Sequence, residues 1–311
     1  MIPESHASAT PDALTRLKQR QATSISVCIP ARDEESTVGT VVDVVRRELC
    51  ERTELVDEVL VIDDGSTDAT AERARSAGAR VVATSEILPW LPAGSGKGNA
   101  MWLALYESEG ELLCFLDADL RNFDARFVTA LIEPLLVDDR IVMVKAQYRR
   151  PFGDEPTGGG RVTELLARPL LALLFPELAY IAQPLAGECA TRRSALETVP
   201  FVEGWGVEIG LLIDLARRFG VAAVAQAHLG VREHRNRPLA ELAPQARAVL
   251  ATGLARAGIE VASSRLGALA ELTSIDDDGG MARRVPTEVR ERLPMLEIPA
   301  YRARFDRERS A

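Results

Sequence analysis

Asp117 and Asp119 stand two residues apart at the end of the apolar run LLCFL, residues 112–116. On an extended chain residues i and i+2 share a face, so both carboxylates project to one side with Ala118 opposite. Paired hard oxygen ligands suit Mg²⁺ or Mn²⁺, which commonly bind one or two carboxylates together with substrate phosphates. Capping of a following helix is the competing use, but Leu120-Arg121-Asn122 is a weak helix start. Two more acidic tails follow apolar, β-branched runs: ARDEE after residues 24–31, and DDGSTD at the end of the run spanning 57–64.

A second set of residues suits anions. Gly158-Gly159-Gly160 lets backbone approach a ligand, and Arg161 and Thr163 open the next helical stretch, RVTELLARPLLALL. A helix N-terminus joined to a guanidinium is a ready phosphate or carboxylate site. The segment VREHRNRP sets Arg232, Arg235 and Arg237 around His234 and Asn236, an arginine density that suits a trianionic acceptor. Glu208 lies in line with Leu211, Leu212, Leu215 and Phe219 at helical spacing, so a carboxylate falls on an apolar face. Burial there must be offset by a salt bridge or put to use.

Lys97 sits in GSGKG, residues 94–98, which fails the P-loop pattern at both ends. No GxGxxG follows the first strand either. Nucleoside triphosphatases and dinucleotide oxidoreductases are therefore disfavoured, although a lysine in a glycine loop can meet a phosphate.

The elements that carry these residues alternate. Strands are expected at 24–31, 57–64, 81–84 and 112–116, and helices from Ser36, from Thr67 and over Asn99–Ser108. Strands apolar on both faces and separated by helices form a parallel sheet covered on both sides, and such sheets take ligands at the carboxyl ends of their strands. All three acidic tails fall on that edge. Further helices are expected at 205–219 and beyond about Ala240, and a strand at 221–229. The domain plan is a flexible N-terminus at 1–22, an α/β catalytic domain at 23–240 divided near 120, and a helical extension at 241–311.

The chain has 311 residues, 47% of them hydrophobic, with a net charge of −9. That balance excludes disorder and disfavours general binding to nucleic acid or an anionic membrane. No stretch matches a secretory signal or an uninterrupted membrane span. The four cysteines have neither zinc nor thioredoxin spacing. A cytoplasmic protein is expected.

The succession PARDEE, DDGSTD and DAD resembles the nucleotide-sugar half of a GT-A glycosyltransferase, with DAD in the place of that fold's metal-binding DXD motif. The stretches GGGRVTELLARPLL, QPLAGE, GWGVEIGLLID and LGVREHRNRPL resemble the glucosyl-3-phosphoglycerate synthases, retaining enzymes of glycosyltransferase family 81. The resemblance covers roughly residues 24 to 240. It implies a hexosyl transfer from UDP-glucose, GDP-glucose or GDP-mannose to the 2-hydroxyl of 3-phosphoglycerate, in a homodimer. Pro30, Ala31, Glu34, Asp64, Lys97, Asp117 and Ala118 would bind the nucleotide sugar. Gly160, Arg161, Thr163, Arg232 and Asn236 would bind the acceptor. Asp119 and His234 would hold Mg²⁺, with Mn²⁺ or Co²⁺ as substitutes, and Glu208 would act with Asp119 in catalysis.

Asp33, Asp64 and Ala118 depart from the glucosyl pattern, all on the donor side. A mannosyl-3-phosphoglycerate synthase using GDP-mannose is therefore the main alternative. A transferase acting on a lipid phosphate and a non-catalytic nucleotide-sugar-binding protein are the others.

Overall fold

A computed structural model of the chain describes residues 4–5, 9–152, 155–233, 239–259, 271–275, 281–286 and 289–309. Its frame is an eight-stranded sheet. In chain order the strands are β1 (Glu4–Ser5), β2 (Ile25–Ala31), β3 (Glu58–Asp63), β4 (Arg80–Ala83), β5 (Leu112–Phe115), β6 (Met143–Arg149), β7 (Cys189–Arg192) and β8 (Val224–Val231). Across the sheet they run β1-β8-β6-β7-β5-β2-β3-β4. Every neighbouring pair is parallel except the two made by β7. The chain steps outward from β2 to β3 and β4, then returns to set β5 on the other side of β2. That reversal opens a crevice between the carboxyl ends of β2 and β5, where open α/β sheets take ligands.

Two apolar layers cover the sheet. Alternation along β2 sends Cys28 to one layer with Trp102 and Leu113, and Val27 and Ile29 to the other with Val41 and Val45. Helix Val38–Val45 is held by this packing, since Thr37 at its N-cap makes no side-chain capping bond. Each fully buried valine there contributes about 1.5–3 kcal/mol.

Several elements differ from the sequence reading. Within the N-terminus expected to be flexible, Pro11–Gln21 form a helix that starts with Thr10 accepting from the Ala13 amide, buries Leu14 and pairs Lys18 with Asp57 at 2.5 Å. Its polar sequence hid this, because the long Lys18 stem does part of the packing. The helix expected from Asn99 begins at Gly96, so Lys97 belongs to a first turn and not to a flexible loop. Gly98 is there for close approach, because a Cβ at that position would strike the carbonyl oxygen of Val202.

The C-terminal extension holds the helices Leu239–Arg256 and Pro299–Arg309, but also the antiparallel strands Glu271–Ile275 and Met281–Pro286. Its last part wraps the main body. Arg292 reaches Asn99 at 2.9 Å and Glu203 at 3.0 Å, and Tyr301 is buried and donates to Glu197. No described helix is long and apolar enough to cross a membrane.

All four cysteines are free. Burial pushes the Cys28 thiol up to about 12 and those of Cys50 and Cys189 to about 11. The reactive thiolate is thus suppressed at neutral pH. A disulfide-exchange reagent at pH 8 is expected to react with no thiol rapidly in the native protein and with all four after unfolding. Rapid modification of Cys28, Cys114 or Cys189 under native conditions would contradict the core described here.

Candidate active site

The crevice between β2 and β5 is a cleft of about 440 Å³, within the ordinary range for small-molecule sites. Its walls include every residue expected to bind the nucleotide sugar: Pro30, Ala31, Glu34, Asp64, Lys97, Asp117 and Ala118. Side chains lock the ends of β2 and β3 together. Asp33, at φ +55°, accepts from the Thr67 amide at 2.8 Å, and the Glu34 amide donates to Thr70 Oγ1 at 2.7 Å. Asp tolerates this left-handed conformation better than most residues. Asp64 accepts from the Gly96 amide at 3.2 Å and so caps the helix carrying Lys97. Burial raises the Asp64 pKa, against the pull of Arg32 and that amide.

Beneath the cleft lies a network of ion pairs. Lys97 Nζ contacts Asp117 Oδ1 and stands 2.8 Å from Glu208 Oε1. Arg232 reaches Asp117 Oδ2 at 2.6 Å, Asp119 Oδ1 at 3.0 Å and Glu188 Oε1 at 2.5 Å. Burial works against the Asp117 carboxylate, but Lys97 and Arg232 outweigh it and hold its pKa well below the usual range. Asp119 goes the other way: burial dominates, Asp117 and Glu188 add repulsion, and its pKa rises despite Arg232. The Lys97 ammonium, disfavoured by burial, is held above its ordinary pKa by Asp117 and Glu208.

A second cleft opens from the same junction. Gly160, Arg161, Thr163, Glu208 and Arg232 line it, as do Lys97, Asp117, Asp119 and Trp205, which also face the first cleft. Gly160 adopts φ +73°, which brings the chain into the helical stretch that Arg161 begins. The expected acceptor residues therefore gather where the expected donor residues end. Arg232 is the exception in kind: its guanidinium lies in this wall but is already shared among three carboxylates. His234 and Asn236, with Arg235 and Arg237, lie outside the described residues.

Three contributors escaped the sequence reading. Glu188 is fully buried and accepts from Tyr148 Oη at 2.8 Å as well as from Arg232. Arg150 lines the second cleft, donates to Tyr148 Oη at 2.8 Å and has a buried Nε with no hydrogen-bond partner among the described residues. It directly follows β6, a strand not among those expected from the sequence. Trp205 bridges the two clefts from the turn after Gly204, at φ +68°.

Gly187 fixes how tightly this junction closes, because a Cβ there would collide with both Asp117 Oδ1 and Lys97 Nζ. Gly187→Ala is expected to lower kcat/KM by about 10²-fold, the scale of an ångström-sized misplacement. A near-normal kcat/KM in that variant would show that the Lys97–Asp117 contact is not needed.

The donor set suits a hard divalent cation. Among the described residues no three His, Cys, Asp or Glu side chains cluster as a ready metal cage. Asp117 and Asp119 supply two carboxylates, however, and the Arg232 guanidinium between them marks the place where positive charge is stabilised. Two carboxylates completed by substrate phosphates are an ordinary Mg²⁺ or Mn²⁺ site.

Comparison with known proteins gives a consistent result. Residues 26–199 match the family model described as glycosyl transferase family 2. The chain is 53% identical over 243 residues to the glucosyl-3-phosphoglycerate synthase of Mycolicibacterium paratuberculosis, covering 76% of this chain and 73% of that one. It resembles the crystal structure of the Mycobacterium tuberculosis glucosyl-3-phosphoglycerate synthase in complex with Mn²⁺, UDP-glucose and phosphoglyceric acid. That match has a TM-score of 0.85 at 42% identity, covering 95% of this chain and 98% of that one. The same enzyme in complex with Mg²⁺ and UDP matches with a TM-score of 0.85 at 43% identity, over 95% and 99% of the two chains.

Proposed function

The chain belongs to the glucosyl-3-phosphoglycerate synthases, and from that premise we propose that it transfers glucose from UDP-glucose to the 2-hydroxyl of 3-phosphoglycerate. The GT-A fold and the metal-dependent hexosyl transfer expected from the sequence belong to the same family. The observation that carries the reading is the junction: a nucleotide-sized cleft and an arginine-lined cleft meet on Asp117, Asp119, Lys97 and Trp205. Relatives crystallised with UDP-glucose favour glucosyl over GDP-mannose chemistry at this junction.

In this reading the walls formed by Pro30, Ala31, Glu34 and Asp64 hold the nucleoside, and Asp117 and Ala118 reach the ribose region. Lys97 faces the diphosphate from the first turn of its helix. Gly160, Arg161 and Thr163 take the phosphate and carboxylate of the acceptor, assisted by Asn236. Asp119 and His234 would hold the divalent ion, which as a Lewis acid would stabilise negative charge on the departing diphosphate.

Glu208 lies on the acceptor wall. There it can orient the 2-hydroxyl while remaining paired with Lys97. Asp117, Asp119, Glu188 and Glu208 are each already ion-paired. That arrangement favours attack from the leaving-group face without a protein nucleophile. The bond from the anomeric carbon to the diphosphate breaks, the bond to the acceptor oxygen forms, and the hydroxyl proton passes to the departing phosphate oxygen. The α-configuration is retained. Four free thiols fit the reducing compartment of a cytoplasmic enzyme. A homodimer belongs to the same proposal, and Leu165 and Leu173, both 80% exposed, are apolar side chains that such a contact would cover.

Incubation with 3-phosphoglycerate, Mg²⁺ and each of UDP-glucose, GDP-glucose and GDP-mannose, read by NMR of the product, tests the proposal. An α-glucosyl product from UDP-glucose is expected. A mannosyl product, or none from any donor, would overturn it, and a trapped glycosyl-enzyme would overturn the front-face step alone.

A further inference from the structure

We propose that Arg232 is a resident counter-cation for the two rim aspartates, so that a divalent ion seats at Asp119 only when a nucleoside diphosphate arrives to engage the guanidinium. The inference rests on the transferase reading above and adds an order of events to it.

The geometry of one side chain carries the argument. Arg232 is only 3% exposed and one nitrogen, Nη2, bridges both aspartates, at 2.6 Å from Asp117 and 3.0 Å from Asp119. A divalent ion on Asp119 must share that carboxylate with a guanidinium already in place. The other end of the fork is fastened. Arg232 Nε donates to Glu188 at 2.5 Å, Glu188 is fully buried, and its second oxygen is held by Tyr148, which Arg150 holds in turn. The guanidinium thus has a fixed end at Nε and a working end at Nη2. The working end can exchange an aspartate for a phosphate oxygen without giving up the buried contact, an exchange that suits the planar fork of arginine.

The local charge points the same way. Among the described residues Asp117, Asp119, Glu188 and Glu208 are ion-paired by Lys97 and Arg232, four carboxylates on two cations, with Arg150 and Lys145 acting on them from further off. A divalent ion would join the cations these carboxylates serve, yet alone it would stand beside the guanidinium with only the shared Asp119 carboxylate between them. A diphosphate supplies anionic oxygens to both cations at once. Ion and diphosphate should then promote each other's binding, and by linkage to the same degree.

Titration of Mn²⁺, followed by the paramagnetic resonance signal of the free ion, tests this without any turnover. In the wild-type protein Mn²⁺ alone should bind weakly, and UDP should tighten it by about 10-fold or more, within the usual span of site coupling. The diphosphate ligates the ion itself, so the deciding arm is a variant. Arg232→Met should bind Mn²⁺ alone about 10-fold more tightly than wild type, and the gain from UDP should shrink, because the competing cation is gone.

That substitution strands Glu188 in the interior. The pair Glu188→Gln with Arg232→Met removes both charges and must tighten Mn²⁺ binding in the same way. Unchanged or weaker binding of Mn²⁺ alone in the folded double variant overturns the proposal. So does a wild-type affinity that UDP does not alter, a result that needs no variant. Inactivity of the wild-type protein toward UDP-glucose and 3-phosphoglycerate, with the Mn²⁺ pattern intact, would refute the assigned reaction and leave the counter-cation standing.

Discussion

Asp119→Asn is expected to lower kcat with Mg²⁺ by about 10³-fold while leaving the thermal unfolding temperature unchanged or slightly raised. The loss follows from what one oriented electrostatic element at developing charge is worth, about 10²–10³ in rate, and more where a metal ion depends on it. The stability result follows from the sign of the Asp119 shift. Burial raises this carboxyl's pKa, so the fold favours its protonated form and its ionisation at neutral pH costs stability. Asparagine matches the neutral form in size and removes that cost, while Arg232 keeps Asp117 and Glu188. Steady-state kinetics together with calorimetry on the same preparation decide the matter. Full activity would remove Asp119 from the metal site, and a large fall in unfolding temperature would make it a structural aspartate.

What could be read from the sequence was the part in which chemistry sits at the end of a buried strand. The runs feeding Asp64 and Asp117 are continuously apolar and stop at acidic residues, so type, position and facing followed from periodicity alone. The acceptor side was legible through the glycines before Arg161, the helical placement of Glu208 and the arginine density after Val231. β7 hid because CATR is four residues long, mixes Thr and Arg with small residues, and runs against its neighbours. With β6 and β7 unplaced, Arg150 and Glu188 had no strand edge to stand on, although both flank strand ends at the same rim. Lys97 shows a subtler failure. Its glycines read as loop because propensity was weighed locally, whereas Gly98 answers to a backbone more than a hundred residues away. Arg232 lines the same cleft as Arg161 and Thr163, but no pattern could show that its guanidinium was already shared.

Lys97→Met is expected to be the most disruptive single change at the junction. The ammonium pairs with Asp117 and with Glu208, the latter only 6% exposed, and removing one partner of a buried pair costs about 3–5 kcal/mol. Asp117 retains Arg232, so the orphaned charge is chiefly Glu208. Two consequences separate this account from a general loss of packing. Adding Glu208→Gln should recover most of the lost stability, because the double variant no longer buries an unpaired carboxylate. Transfer should not recover, since Lys97 also lines the cleft proposed for the nucleotide sugar.

The dependence of stability on pH should also change. In the wild-type protein Lys97 is held above its ordinary pKa, so its contribution is fully present below about pH 10 and is lost only as pH rises further. Asp117, held low, loses its contribution as pH falls below about 4. Between those limits the pair gives a flat profile. In Lys97→Met the buried Glu208 carboxylate has lost its counter-charge, so the variant should gain stability relative to wild type as pH falls from 8 towards 5. Chemical denaturation of the wild type, the single variants and the double variant at both pH values completes the cycle. Equal stability of Lys97→Met with and without Glu208→Gln, at either pH, would show that this ion pair is not what holds the two clefts together.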